Sequence, residues 1–305
     1  MQICLFMLID THCHLNFQSF DGKVEEVVKS ANEAGVKSIV VPGTDIETSK
    51  KAVEIASKNK GIYAAVGIHP HHVFEIYSKV AGPVSETFPS DARDQRQAGK
   101  ITTLRGDPFS STPAELLFSL SEFLKNPKVV AIGEVGIDRH NYEKTRHKDY
   151  KVDEEFVGLQ KEFFEKQIEL AIKHNKALVI HNREAKKDVL GVLEGFGANQ
   201  FHKRAVFHCC EPDIDLLEFA KAHGMFIGVD GDVVYWGQKQ EFIKKVPMDM
   251  LVLETDSPFL SPYQKFPNEP KNIPFIGEFI AKLKEIPVKE IKEKTTENAR
   301  KLFQI

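Results

Sequence analysis

Apolar residues in this chain come in short runs rich in valine and isoleucine, separated by stretches where apolar positions recur every three or four residues. The runs cover residues 8–14, 37–43, 62–70, 129–138, 177–183, 205–210, 225–231 and 251–258. Helical patterns cover 23–34, 48–57, 114–124, 154–174, 184–196 and 213–223. A near-continuous apolar run suits a strand buried on both faces, and parallel strands need a crossover between them. The alternation therefore predicts a parallel sheet with right-handed connections. Eight such units close into a (β/α)8 TIM barrel more naturally than they spread as an open sheet. No Gly-x-Gly-x-x-Gly follows the first run, which argues against a doubly wound nucleotide-binding fold. Residues 274–303 read as two more helices packing outside, separated by Pro287.

One segment breaks the rhythm. Residues 78–113 carry Pro83, Pro89, Pro108 and Pro113 with little periodicity. A single domain with an irregular insertion after its third strand is expected, the insertion emerging on the C-terminal face as a lid or spacer. Lys79, Arg93, Arg96, Lys100 and Arg105 are nearly balanced there by Glu86, Asp91, Asp94 and Asp107, which argues against a nucleic-acid clamp. Replacing the insertion by a short linker is expected to leave thermal stability almost unchanged.

The totals add limits rather than an identity. A chain of 305 residues with 42% hydrophobic content can fill one large barrel core. No run approaches the ~20 apolar residues that span a bilayer, and the start does not resemble a signal peptide. Met7 directly precedes the first strand and reads as an alternative start. Cys4, Cys13, Cys209 and Cys210 form neither a disulfide framework nor a zinc spacing, so a reduced, cytoplasmic protein is expected. A net charge of −3 announces no polyanion, so any such contact must be local. No obligate protein partner is expected.

Ionisable residues gather where the predicted strands end. His12 and His14 close the first run, His69 the third, His181 the fifth, His208 the sixth and Asp256 the eighth, with Glu134 late in the fourth. In a barrel those ends meet in one bowl. His12 and His14, two apart on a strand, share a face, as does Asp10, while Cys13 points the other way. A His-x-His pair alone carries little; four more ligand-type side chains at matching ends carry much more. A carboxylate late in a buried strand is costly unless paired or metal-bound, and bridging two cations would satisfy Glu134. Asp256 would complete the ion held by His12 and His14, and His181 with His208 a second. Nitrogen and oxygen donors without thiolate suit zinc, manganese or magnesium alike. Two such ions activate water, with Asp256 the candidate base and Glu134 the bridge. Arg183 shares a face with His181, and His69 reaches the bowl; both are candidate phosphate contacts. Arg139 heads a basic cluster with Lys144, Arg146, Lys148 and Lys151 on the same side. His71 and His72 are expected to face solvent.

These residues resemble a known family. Asp10-Thr11-His12-Cys13-His14-Leu15, Gly67-Ile68-His69-Pro70-His71, Gly133-Glu134-Val135-Gly136-Ile137-Asp138 and Glu254-Thr255-Asp256-Ser257-Pro258 are similar, in order, to motifs of the TatD-type hydrolases. The resemblance runs from Met7 to the final helix, leaving out 78–113. It implies a divalent-metal-dependent deoxyribonuclease of the amidohydrolase-like superfamily, often exonucleolytic from the 3′ end. It also implies DNA as substrate, with ligands at His12, His14, Glu134, His181, His208 and Asp256. Glu134 resembles the counterpart of the carboxylated lysine of related amidohydrolases. The chain departs from the family's pattern at Arg139-His140, at Cys209-Cys210-Glu211 and at Lys265–Phe266, positions that shape the substrate pocket.

The same metal-activated water could instead hydrolyse a carboxylic ester, such as a lactone or an aminoacyl-tRNA linkage. A non-catalytic, metal-stabilised binding module is a third class. It has no use for Asp256 as a base.

Overall fold

A computed structural model of the chain describes residues 7–81, 112–145 and 150–305. Most of the expected insertion (82–111), together with Arg146 and Lys148, lies outside the described residues. Eight parallel strands form one sheet in sequence order: β1 (Leu8–Asp10), β2 (Val36–Pro42), β3 (Ile62–Val66), β4 (Val129–Asp138), β5 (Ala177–Arg183), β6 (Ala205–Phe207), β7 (Phe226–Val229) and β8 (Leu251–Leu253). Helices α1 (Val24–Glu33), α2 (Ile46–Lys58), α3 (Pro70–Ala81), α4 (Pro113–Phe123) and α5 (Glu154–Lys173) cover the first half. They are followed by α6 (Lys186–Gly195), α7 (Ile214–His223), α8 (Gly237–Lys245), α9 (Ile273–Leu283) and α10 (Val288–Phe303). The result is the (β/α)8 barrel that the alternation predicts.

Five strands are shorter than their apolar runs, β7 (Phe226–Val229) among them. β1 ends at Asp10, β3 at Val66, β6 at Phe207 and β8 at Leu253. The last residues of these runs are largely polar yet still mostly buried, and they lie beyond the regular ladder. The third run hides a helix start: Pro70 opens α3, because a proline lacks the N–H that the first helical turn leaves unused. Residues 78–81 thus belong to α3 rather than to the insertion. The other flank is equally ordered, since Thr112 caps α4 in a reciprocal box with Glu115.

Side chains alternate between two cores. Leu8, Ile39, Val41, Ala64 and Val66 face the helices, as does Cys13. Ile9, Val40, Ala65, Val179, Val206 and Val252 fill the barrel. Ala299, Leu302 and Phe303 of α10 join that inner cluster, so the last helix does more than pack outside. Its end closes the barrel from within, and burying Leu302 and Phe303 contributes about 1.5–3 kcal/mol each.

Candidate metal centre

The barrel closes between β1 and β8, and that seam holds the first group of ligand-type residues. Past the short ends of both strands, Thr11 N donates to Leu253 O at 3.0 Å, Asp256 N to His12 O at 2.9 Å and His14 N to Ser257 O at 2.8 Å. His12, His14 and Asp256 are therefore fixed relative to one another by main-chain bonds. Asp256 adopts φ +51°, a left-handed conformation that aspartate tolerates better than most residues, and this turns its carboxylate inward. Asp10, expected on their face, is not part of the group. Its carboxylate accepts from Thr255 Oγ1 at 2.6 Å, Thr255 N at 3.0 Å and His12 N at 3.2 Å. Burial pushes Asp10 up to about 8 against those bonds. It ties the seam together.

Inside the bowl the donor atoms converge. His12 Nε2 and His14 Nε2 lie 3.2 Å apart. Asp256 Oδ1 is 3.4 Å from His14 Nε2 and 3.7 Å from both His12 Nε2 and His208 Nε2. Glu134 stands in the middle and divides its two oxygens. Oε2 faces His12 at 3.5 Å and His14 at 3.8 Å. Oε1 faces His181 at 2.8 Å, His69 at 3.4 Å and His208 at 3.9 Å. Gly136 makes this packing possible: at φ +147°, any side chain there would collide with the His181 carbonyl.

Burial and charge set the protonation of these groups. Burial, helped by the neighbouring His208, pushes His12 down to about 4, which leaves its ring neutral with a lone pair to offer. For His208 burial acts the same way, but Glu254 outweighs it and lifts the ring to about 10. Asp138 and Glu134 likewise overcome burial at His181 and raise it to about 9. Glu134 would be pushed up by burial, yet His69, His12 and His181 hold it well below the usual carboxylate range. Glu134, buried, and Asp256, partly buried, are ringed by imidazoles, and among the described residues no lysine or arginine stands between them, so the site fits cations. His12, His14 and Asp256 lie within single-ion reach of one another, as do His69, Asp138 and His181.

Two functional residues escaped the sequence reading. Glu254 Oε1 lies 3.1 Å from His208 Nδ1 and accepts Cys209 N at 2.5 Å, so it orients the ring whose Nε2 faces the centre. Asp138 Oδ2 lies 3.0 Å from His181 Nε2. Each sits inside a quoted motif at even spacing from a ligand, Glu254 two before Asp256 and Asp138 four after Glu134. That parity was the available signal.

Around the centre the bowl measures about 660 Å³ and is lined by Phe17, His71, His72, Tyr142, Arg183, Trp236 and Phe259 among others. Arg183 lies over the Tyr142 ring at 5.0 Å and donates to its hydroxyl at 3.1 Å. His71 and His72 are half-buried in the wall rather than solvent-facing; His72 lies 3.2 Å from Asp45, and His71 stacks on Tyr150. Arg139 points elsewhere. Its guanidinium is held by Glu154 and Asp188, both at 2.6 Å, in a separate groove.

A second buried cluster borders the same wall. Lys239 Nζ lies 2.7 Å from Asp230 and 2.6 Å from Asp232, and 3.8 Å from Cys209 Sγ. Two carboxylates share one ammonium. Burial raises both acids, but Lys239 outweighs it at Asp230, while Asp232, facing Asp230 as well, is pushed up to about 8. Cys209 belongs to this cluster and not to the donors around Glu134.

Comparison with known proteins shows the family to which the chain belongs. The model of the TatD related DNase family matches residues 9–304. An uncharacterized metal-dependent hydrolase of Bacillus subtilis, YabD, is 34% identical over 98% of this chain and all of its own length. The human deoxyribonuclease TATDN3 is 28% identical over 97% of this chain and 94% of its own. Among solved structures, the TatD homolog YJJV of Escherichia coli superposes with a TM-score of 0.77 at 25% identity, covering 99% of both chains.

Proposed function

The chain belongs to the TatD-related DNase family of metal-dependent hydrolases, and from that premise we propose that it hydrolyses phosphodiester bonds of DNA, trimming single-stranded 3′ ends. The observation that carries this reading is the divided carboxylate of Glu134, one oxygen toward His12 and His14 and the other toward His181 and His208. A bridging carboxylate between two groups of imidazoles suits a pair of divalent ions. His12, His14 and Asp256 would hold one and His181 with His208 the other, drawn from zinc, manganese or magnesium. When bound, such a pair polarises a phosphodiester and lowers the pKa of water toward neutrality.

The chain's own residues do the rest. Asp256 has one oxygen for the ions and one to accept the proton of the attacking water. Glu254 keeps His208 from rotating. His69, 3.4 Å from Glu134, can donate to a non-bridging phosphate oxygen. Arg183, at the mouth, offers a second positive contact. Arg139, tied up by two carboxylates, offers none. The name of the human relative supports a nucleic-acid substrate. Among the described residues no helix is long and apolar enough to cross a membrane. Cys13, Cys209 and Cys210 stay unpaired, which suits a reducing compartment such as the cytoplasm.

The deciding experiment incubates purified protein with 3′-labelled single-stranded DNA and, in parallel, an aminoacyl-tRNA, with and without divalent metal. Metal-dependent loss of the DNA label is the expected result. Release of the amino acid with intact DNA would move the protein to ester hydrolysis.

A further inference from the structure

Large apolar side chains left in water beside a polar centre need an explanation. Three phenylalanines step outward from the metal centre. Phe17 stacks on the ligand His14, with ring centroids 4.2 Å apart and planes inclined by 17°. Phe259 follows 6.3 Å from Phe17, and Phe266 another 6.3 Å beyond. Exposure grows along the row: Phe17 is half-buried, Phe259 is 45% exposed and Phe266 is 68% exposed.

The segment that carries the outer two rings is pinned. Asn268, fully buried, donates from its side chain to Thr255 O at 2.9 Å and from its main chain to Pro258 O at 2.8 Å. Gln264 N closes an inner turn on Ser261 O at 2.9 Å. The loop is thus anchored within a residue or two of Asp256, and its rings are held out rather than left loose. Phe259 and Leu260 line both the bowl and the adjoining groove that contains Lys265 and Phe266. Among the described residues Lys265 forms no ion pair.

We propose that Phe17, Phe259 and Phe266 form a stacking platform for the unpaired bases of the strand whose end lies in the metal centre, with Lys265 beside its phosphates. This rests on the nucleic-acid reading above and adds the subsite that selects single strands. Every base has a π-face, so such a platform holds a strand without reading its sequence, and a duplex cannot offer its faces to it. A second copy of the chain is a poorer occupant. Three aromatic side chains of ~150–250 Å² each fall short of the ~800 Å² that each partner of a stable dimer buries. A copy seated there would also cover the mouth of the bowl.

The test measures KM for single-stranded oligonucleotides of increasing length with the metal-loaded enzyme. For the wild type, KM falls with length as bases reach Phe259 and then Phe266. Phe266→Ala and the double variant with Phe259→Ala abolish that gain and raise KM for long strands roughly tenfold. Phe266→Trp restores it and Phe266→Leu, equally apolar but without a π-face, does not. Length dependence that survives in Phe266→Leu overturns the platform while leaving the nuclease reading intact. A wild type that cleaves no oligonucleotide overturns both. Light scattering that shows a dimer lost in Phe266→Ala would assign the rings to self-association and overturn the proposal.

Discussion

Two buried polar clusters stand side by side at the mouth of this barrel, and they solve the same problem differently. One groups Asp230, Asp232 and Cys209 after β6 and β7; the other groups Glu134 and Asp256 with His12, His14, His181 and His208. Both remove a pair of carboxylates from water, which is costly unless a cation compensates. In the first the chain supplies that cation itself, as Lys239 Nζ within 2.7 Å of both acids. In the second, among the described residues no lysine or arginine approaches, and the groups facing the acids are imidazoles, which can give a lone pair to an ion once they shed their protons. A covalently attached ammonium makes a cluster structural. Its replacement by imidazoles, which can lose a proton and then bind a metal, makes a place for an ion from solution.

The largest expected effect breaks the second cluster without unfolding it. Asp256→Asn preserves shape and much of the ligation but cannot take a proton from water, so kcat should fall by about 10²–10⁴ with little change in melting temperature. A variant at wild-type rate with an unaltered pH profile would leave Asp256 a ligand only. The first cluster should show the opposite signature. Lys239→Met strands two buried acids, at a cost of about 3–5 kcal/mol and a Tm loss on the order of 10 °C, with bound metal unchanged. Adding Asp230→Asn and Asp232→Asn should return much of that loss; continued instability would show that Lys239 acts through packing instead.

Removal of metal sharpens the contrast further. A chelator should lower the Tm of the wild type by an amount set by mass action, ~2.7 kcal/mol where free metal had stood at 100 times its dissociation constant. The shift should vanish in the His12→Ala, His14→Ala double variant and persist in Lys239→Met. Equal shifts in all three proteins would mean that the ions bind elsewhere. The smallest effect concerns Glu254, which lies 3.1 Å from His208 Nδ1. Glu254→Gln should weaken metal binding by about 10–100-fold through loss of His208 orientation, read in a competition titration with a chromophoric chelator. An unchanged titration would reduce Glu254 to a partner of Cys209 N.

Much of the molecule was legible from the chain. Apolar runs marked all eight strands because a strand covered on both faces must be apolar throughout, and the side-chain period of two told that Cys13 opposes His12 and His14. The same pattern could not say where a strand stops. His12, His14, His69, His208 and Asp256 lie beyond the named strands, since partial or full burial continues after the regular ladder has ended. For the same reason Pro70, at the end of an apolar run, hid the start of α3, and α10 was read as wholly external.

The sequence by itself determined the barrel, the face on which ionisable residues gather and the residue types of the candidate metal centre. Those follow from period, order and side-chain chemistry, which are local properties. Only the tertiary structure decided which polar groups meet. Asp10 bonds across the seam to Thr255, Glu254 turns back to His208, Asp138 reaches His181, and Arg139 is spent on Glu154 and Asp188. Each of these pairings joins residues from different strands or helices. Their partners are chosen by barrel curvature and strand register, quantities that no single segment carries.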